Sequence, residues 1–215
     1  MVSFFEQNRQ LILQAFWVHL LLVVVSVAIA VIIGVPIGVW ANRNRRAGQV
    51  AVRVAGIIMT IPSVAVYGIL IPVLALVGYG IGKAPAIVAL ILYCQLPLIQ
   101  NTQAGLGAVD ESVKQAGRGM GMTSRQLFWQ VEVPLALPVI LAGVRTAMVL
   151  SVGIAAIGAY IGAGGLGQFI FQGISELYQA EVMTGAVALV ILALLLDAAF
   201  GLAQRQLVPK GASRG

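Results

Sequence analysis

The sequence predicts an all-α polytopic membrane protein, one domain over residues 1–215 with five spans, and three observations predict it. Hydrophobic residues make up 60% and charged residues 9% of the chain, against roughly 45–50% and ~25% in soluble domains. The apolar residues fall in runs near the ~20 residues that carry a helix across the hydrocarbon core. The cations gather in short clusters beside those runs, where membrane orientation places them. A formal charge of +6 invites a nucleic-acid reading, but the clusters build no basic face and carry no interleaved aromatics, so no nucleic-acid partner is expected. Cys94, the only cysteine, lies inside an apolar run. It offers neither a disulfide framework nor a metal-ligand spacing, and packing is its expected role.

In chain order, residues 1–16 come first. Phe4, Phe5, Leu11, Ile12, Ala15 and Phe16 recur at helical spacing, which fits either an interfacial amphipathic helix on the outer surface or an extension of the first span. The segment lacks the basic start and small-residue cleavage site of a removable signal, so the first span is expected to stay. That span covers 17–40, bracketed by Trp17 and Trp40, whose indoles favour membrane interfaces. The second covers 54–77 and is interrupted by Pro62 and Pro72; the third covers 84–106, the fourth 135–161 and the fifth 182–203. Arg43, Arg45, Arg46, Arg53, Lys114, Arg118, Arg125, Arg205, Lys210 and Arg214 then fall on one side, against Arg9 and Lys83 on the other. This bias puts the 42–53 loop, the 107–133 loop and the 204–215 tail in the cytoplasm and the N-terminus outside.

The 107–133 loop carries its own pattern. Asp110 is a good N-cap and Glu111 puts negative charge in a first helical turn, while Val113, Ala116, Gly117 and Met120 share one face. Lys114, Gln115 and Arg118 point elsewhere. Gly119 and Gly121 weaken that helix; Thr123 with Gln126 then matches a capping box that starts a second short helix through Leu127, Phe128 and Val131, which Pro134 is expected to end. Two short amphipathic helices on a glycine joint offer an apolar face that needs a cover. The bilayer surface is one candidate cover, and a partner protein is the other.

The spacing resembles the signature loop of the membrane subunits of binding-protein-dependent ABC importers, which reads E-A-A, three residues, Gly, nine residues, Ile-x-Leu-Pro. With the motif glycine at Gly121, Gln115-Ala116-Gly117 takes the E-A-A positions and Val131-Glu132-Val133-Pro134 the last four, both intervals intact. Gln115 replaces the acidic residue and Gly117 the second alanine, so any ion pair the family makes at the first position loses its charge here. The stretches "TIPSVAVYGILIP", "LPLIQNTQAGL", "VPLALPVILAGVRTA" and "GAGGLG" resemble the osmoprotectant branch, whose members import glycine betaine, choline, carnitine or related zwitterions. Methionine-import permeases are similar in size, span count and the phrase "GAGGLGQ". The resemblance implies a type I ABC importer permease fold in the bacterial inner membrane. It also implies a coupling helix seated on a cytoplasmic ABC ATPase dimer, a second permease subunit, identical or homologous, and a periplasmic or lipoprotein substrate-binding protein. Lys114, Gln115, Ala116, Gly117, Arg118, Met120, Gly121, Met122 and Pro134 are the expected ATPase-coupling residues. Met120 and Met122 suit a contact that re-packs each cycle.

Two other phrases mislead. "GAGGLG" matches G-x-G-x-x-G, but it follows a span instead of the strand a dinucleotide site requires; Gly162, Gly164, Gly165 and Gly167 are expected to shape the outer turn. "GYGIGKAP" lacks both the first glycine and the Ser or Thr of a P-loop. The chain is therefore expected to be no enzyme and to hold no cofactor, ATP and Mg being used by the partner ATPase.

Arg145 and Asp197 are the ionisable residues deepest in the spans, where a lone charge is costly. They are expected to pair, unless Arg145 lines the cytoplasmic mouth of the pathway. For a quaternary ammonium substrate, aromatic faces are attractive, and Tyr67, Tyr93 and Tyr160 join Arg145 as pathway candidates, with helix packing as the plainer role of each. His19 reads as an ordinary boundary residue. Glu176 and Glu181 sit in an outer loop free of Lys and Arg, available to a basic patch on a binding protein or simply solvated. A secondary transporter or channel would call for several intramembrane acids or a repeat, and a haem anchor for paired histidines; the sequence has neither.

Overall fold

The computed structural model describes residues 2–207, so Lys210 and Arg214 of the C-terminal tail lie outside the described residues. Among the described residues every regular element is helical. Four helices are long and apolar enough to cross a bilayer, and one bent pair makes a fifth crossing if counted as one span.

The first helix, α1, runs unbroken from Val2–Arg43, about 63 Å at 1.5 Å per residue, twice the hydrocarbon thickness. Its buried residues Ile12, Ala15, His19, Val23, Ser26 and Ala30 form one stripe, and Phe4 packs edge-on against Phe169 and Tyr178. Residues 2–16 are thus the extension of the first span, and the separate surface helix gives way to that alternative. Ile12 and Ala15 already bury against the bundle, which leaves no hinge between the two parts.

The second span departs from a straight crossing. Helix α2, Arg45–Thr60, starts one residue after α1 with Asn44 as its N-cap, accepting from the Ala47 N–H at 3.2 Å. It breaks at Ile61 and Pro62 and turns by 99° into α3, Ser63–Ala75. Pro62 supplies no N–H to continue the ladder and restricts the residue before it. The Tyr93 hydroxyl donates to the Ile61 carbonyl that the break sets free.

Helix α4, Lys83–Gly107, is the central element, packed on α1, α2 and α7. Gly34 and Gly38 of α1 make that approach possible. A Cβ at Gly38 would sit 2.5 Å from Thr102 Cβ and one at Gly34 2.9 Å from Leu98 Cβ, the close contact that small residues four apart permit between membrane helices. Cys94 packs in the same core with its Sγ 3.0 Å from Ser151 Oγ.

After α4 come α5, Glu111–Gly119, and α6, Ser124–Leu127. Pro134 does not end α6. A single π turn, Phe128–Glu132, carries the chain into α7, Val133–Gly158, and the Val133 N–H donates to Phe128 O five residues back. A wider turn absorbs the hydrogen bond that the proline cannot make. Helix α8, Gly167–Ser175, follows a glycine turn on the opposite face of the bundle, and α9, Gln179–Leu207, closes the fold.

Candidate coupling segment and pathway residues

Helix α5 is built as the sequence predicts. The Asp110 carboxylate accepts from the Ser112 N–H at 2.8 Å, and this hydrogen bond holds its pKa below the ordinary 3.8. Lys114 and Arg118 both lie 3.5 Å from Glu111. At the other end the Gly121 N–H donates to Arg118 O at 2.9 Å and the Met122 N–H to Gly117 O at 3.1 Å. With Gly121 at φ +85°, this is a Schellman stop, which a side chain at that position would strain. Thr123 and Gln126 then form both halves of the capping box.

Within this hairpin Gly117 turns inward. A Cβ there would lie 2.7 Å from Leu127 Cδ1 and 3.1 Å from Met122 Sδ, so the second alanine of the family motif has no room in this chain. Leu127 is buried behind it, and Arg43 lies over the Phe128 ring at 4.9 Å, tying the segment to the end of α1. Val113, Ala116 and Met120 face outward, with Met120 78% exposed. Gln115, Arg118 and Gly121 are exposed too, Met122 and Pro134 half-buried. The hairpin is therefore fastened to the bundle on one side and bare on the other.

The pathway candidates scatter. Tyr67 is buried and donates to Ile154 O at 3.1 Å, and Tyr93 is buried on the Ile61 carbonyl. Tyr160 stays exposed, its ring 5.7 Å from that of Phe171. Arg145 makes a bidentate pair with Asp197, both bonds 2.5 Å, joining α7 to α9. The structure thus brings Arg145 to Asp197 and sets it apart from the tyrosines.

His19 is more than a boundary residue. It is fully buried, its Nε2 3.1 Å from Val152 O and its Nδ1 accepting the Leu166 N–H at 3.3 Å. Gly162, Gly164 and Gly165 all adopt positive φ in the turn above it. The turn is wrapped tightly: a Cβ on Gly165 would meet His19 Nδ1 at 2.9 Å, and one on Gly167 would meet Ala156 O at 2.0 Å. A lone histidine facing four clustered glycines was the available signal. Glu176 accepts from Gln172 at 3.1 Å, while Glu181 is buried in the first turn of α9.

The model of the family described as "Binding-protein-dependent transport system inner membrane component" matches residues 30–211. The chain belongs to that family. It is 44% identical over 193 residues to the osmoprotectant import permease protein OsmW of Salmonella typhimurium, covering 90% of each. It is 38% identical over 214 residues to the choline transport system permease protein OpuBB of Bacillus subtilis, covering 99% of this chain and 96% of that one. Among solved structures it superposes with TM-score 0.82 and 28% identity on a chain of the inward-facing MetNI methionine ABC transporter, covering 95% and 99%. As an inner membrane component of this family, the chain is the permease subunit of an ABC importer and has the type I permease fold. Permease components lack an ATP site, hydrolysis falling to a separate ATPase subunit, and they work with a substrate-binding protein.

Proposed function

We propose that this permease carries an osmoprotectant of the glycine betaine, choline, carnitine or proline betaine class across the inner membrane. Two copies, or this chain and a homologous one, form the pathway along their shared interface. The N-terminus and the glycine turn lie outside, and the α5–α6 hairpin and C-terminus lie in the cytoplasm, as the cation bias requires. Gln115, Ala116, Met120 and Gly121 of the hairpin contact the ATPase dimer. Lys114, Gly117, Arg118, Met122 and Pro134 shape that contact. Nucleotide-driven closure of the dimer moves the hairpin, and α7, continuous with it through the π turn, transmits the motion to the spans.

The single observation that carries the coupling role is the bare face of Val113, Ala116 and Met120 on a hairpin otherwise fastened to the bundle. The substrate class rests on the 44% identity to an osmoprotectant permease. The resemblance to the methionine transporter favours a second reading, a small amino-acid derivative as cargo. Uptake by proteoliposomes holding the complete complex and its loaded binding protein separates them: ATP-dependent entry of glycine betaine or choline supports the first. Entry of methionine alone replaces it with the second.

A further inference from the structure

Helix α2 carries a feature that neither coupling nor packing uses. Arg45, Gln49, Arg53, Gly56 and Thr60 recur every three or four residues and share one face, while Ala47, Ala51, Val54 and Ile58 share another. A polar stripe on a spanning helix faces water or protein, because lipid cannot satisfy it. Along this face runs a groove of about 580 Å³ lined by Arg53, Gly56, Ile57, Met59, Thr60 and Leu96, a size typical of small-molecule sites. Arg53 is its only charged wall.

The groove ends at the break between α2 and α3. There the Thr60 hydroxyl donates to Ile57 O at 2.7 Å, and Ile61 N–H to Ile58 O at 3.2 Å. Among the described residues no backbone N–H donates to the Met59 or Thr60 carbonyl. Open carbonyls at a helix C-terminus concentrate negative potential, and discontinuous helices offer such ends to ions and substrates. About 10 Å of helix rise separates Arg53 from Thr60, part of it spanned by the arginine side chain. The remainder fits a molecule with a carboxylate and an onium a few bonds apart.

We infer that this groove is a transit subsite for a zwitterion, with the Arg53 guanidinium holding the carboxylate and the α2 terminal carbonyls facing the onium. The inference rests on the permease reading and deepens it: the pathway favours carboxylate-bearing substrates over choline, which has none. One positive wall and a few carbonyls hold the solute without trapping it.

The test uses the complete complex in proteoliposomes with its binding protein, comparing glycine betaine and choline uptake in wild type, Arg53→Gln, Arg53→Lys and Gly56→Leu. Nothing lies within 4 Å of a Cβ at Gly56, so a leucine there fills the groove without disturbing the fold. Arg53→Gln is expected to cut glycine betaine uptake about tenfold, the loss of one charge-assisted contact, and to leave choline within twofold. Arg53→Lys should recover part of the loss, and Gly56→Leu should slow both solutes with the ATPase still bound. Equal losses for both solutes in Arg53→Gln, an unchanged rate, or normal transport by Gly56→Leu overturns the subsite. If wild type carries only one of these solutes, or methionine, the variants are read on that solute. Arg53→Gln must then impair a carboxylate-bearing solute and spare choline, and any other result overturns the subsite. A wild type that moves methionine but neither quaternary amine refutes the osmoprotectant reading separately.

Discussion

The two ends of the bundle are built on opposite rules. On the face we assign to the outside, Gly162, Gly164 and Gly165 at positive φ fold the chain over a fully buried His19, and both ring nitrogens are satisfied from within the chain. At the other end, Gly121 also sits at positive φ, yet the hairpin it joins leaves Met120 78% exposed. Both ends spend glycines on sharp stops. One stop closes a surface on itself, and the other holds a surface open for a partner, so disruption should cost stability at the first and coupling at the second.

The largest expected effect breaks the open end. Proline fixes φ near −65° and cannot adopt +85°. At about 3 kcal/mol of local cost, Gly121→Pro should lower ATP-dependent uptake on the order of a hundredfold while the detergent-solubilised bundle keeps its Tm. At the closed end, Gly165→Ala adds a Cβ 2.9 Å from His19 Nδ1 at φ +87°. The expected cost is about 2–4 kcal/mol of bundle stability, read as a lower Tm with ATPase association retained. Should these two variants exchange phenotypes, the contrast between the ends is wrong.

A third variant sharpens the comparison with the opposite sign. Leu177 stops α8 at φ 55°, the only non-glycine at positive φ among the described residues, and is 93% exposed. Leu177→Gly relieves that strain and should raise stability by roughly 0.5–1 kcal/mol in thermal denaturation. The smallest effect is one of pH. Because the Ser112 N–H holds the Asp110 pKa below 3.8, its stabilisation of α5 is complete above that value and is lost as the pH falls through the lowered one. Amide exchange in 111–119 should accelerate below that range in wild type, and Asp110→Ala should exchange fast at every pH.

Local signals explain what was legible in the sequence. The Asp110 cap, the Thr123–Gln126 box and the Gly121 joint each involve residues within a few positions, and all three appear as read. Four of the spans were equally plain from their apolar runs. The 99° turn at Pro62 was not, since a proline marks a break without fixing its angle; Tyr93 and the neighbouring helices set that. Nor was the helix running on through Pro134, because a π turn leaves no trace in hydrophobic period. His19 escaped because its partners are 133 and 147 residues away. The contact of Gly38 with Thr102 is equally remote, although Gly34 and Gly38 advertise it by their four-residue spacing.

The most direct measurement is the amount of ATPase subunit retained on affinity-purified complex carrying Ala116→Glu, beside its effect on the melting of the permease alone. A carboxylate placed unpaired in the middle of the bare α5 face should strip the ATPase and leave the permease's Tm where it was. Full ATPase retention with undiminished uptake would contradict the assignment of that face.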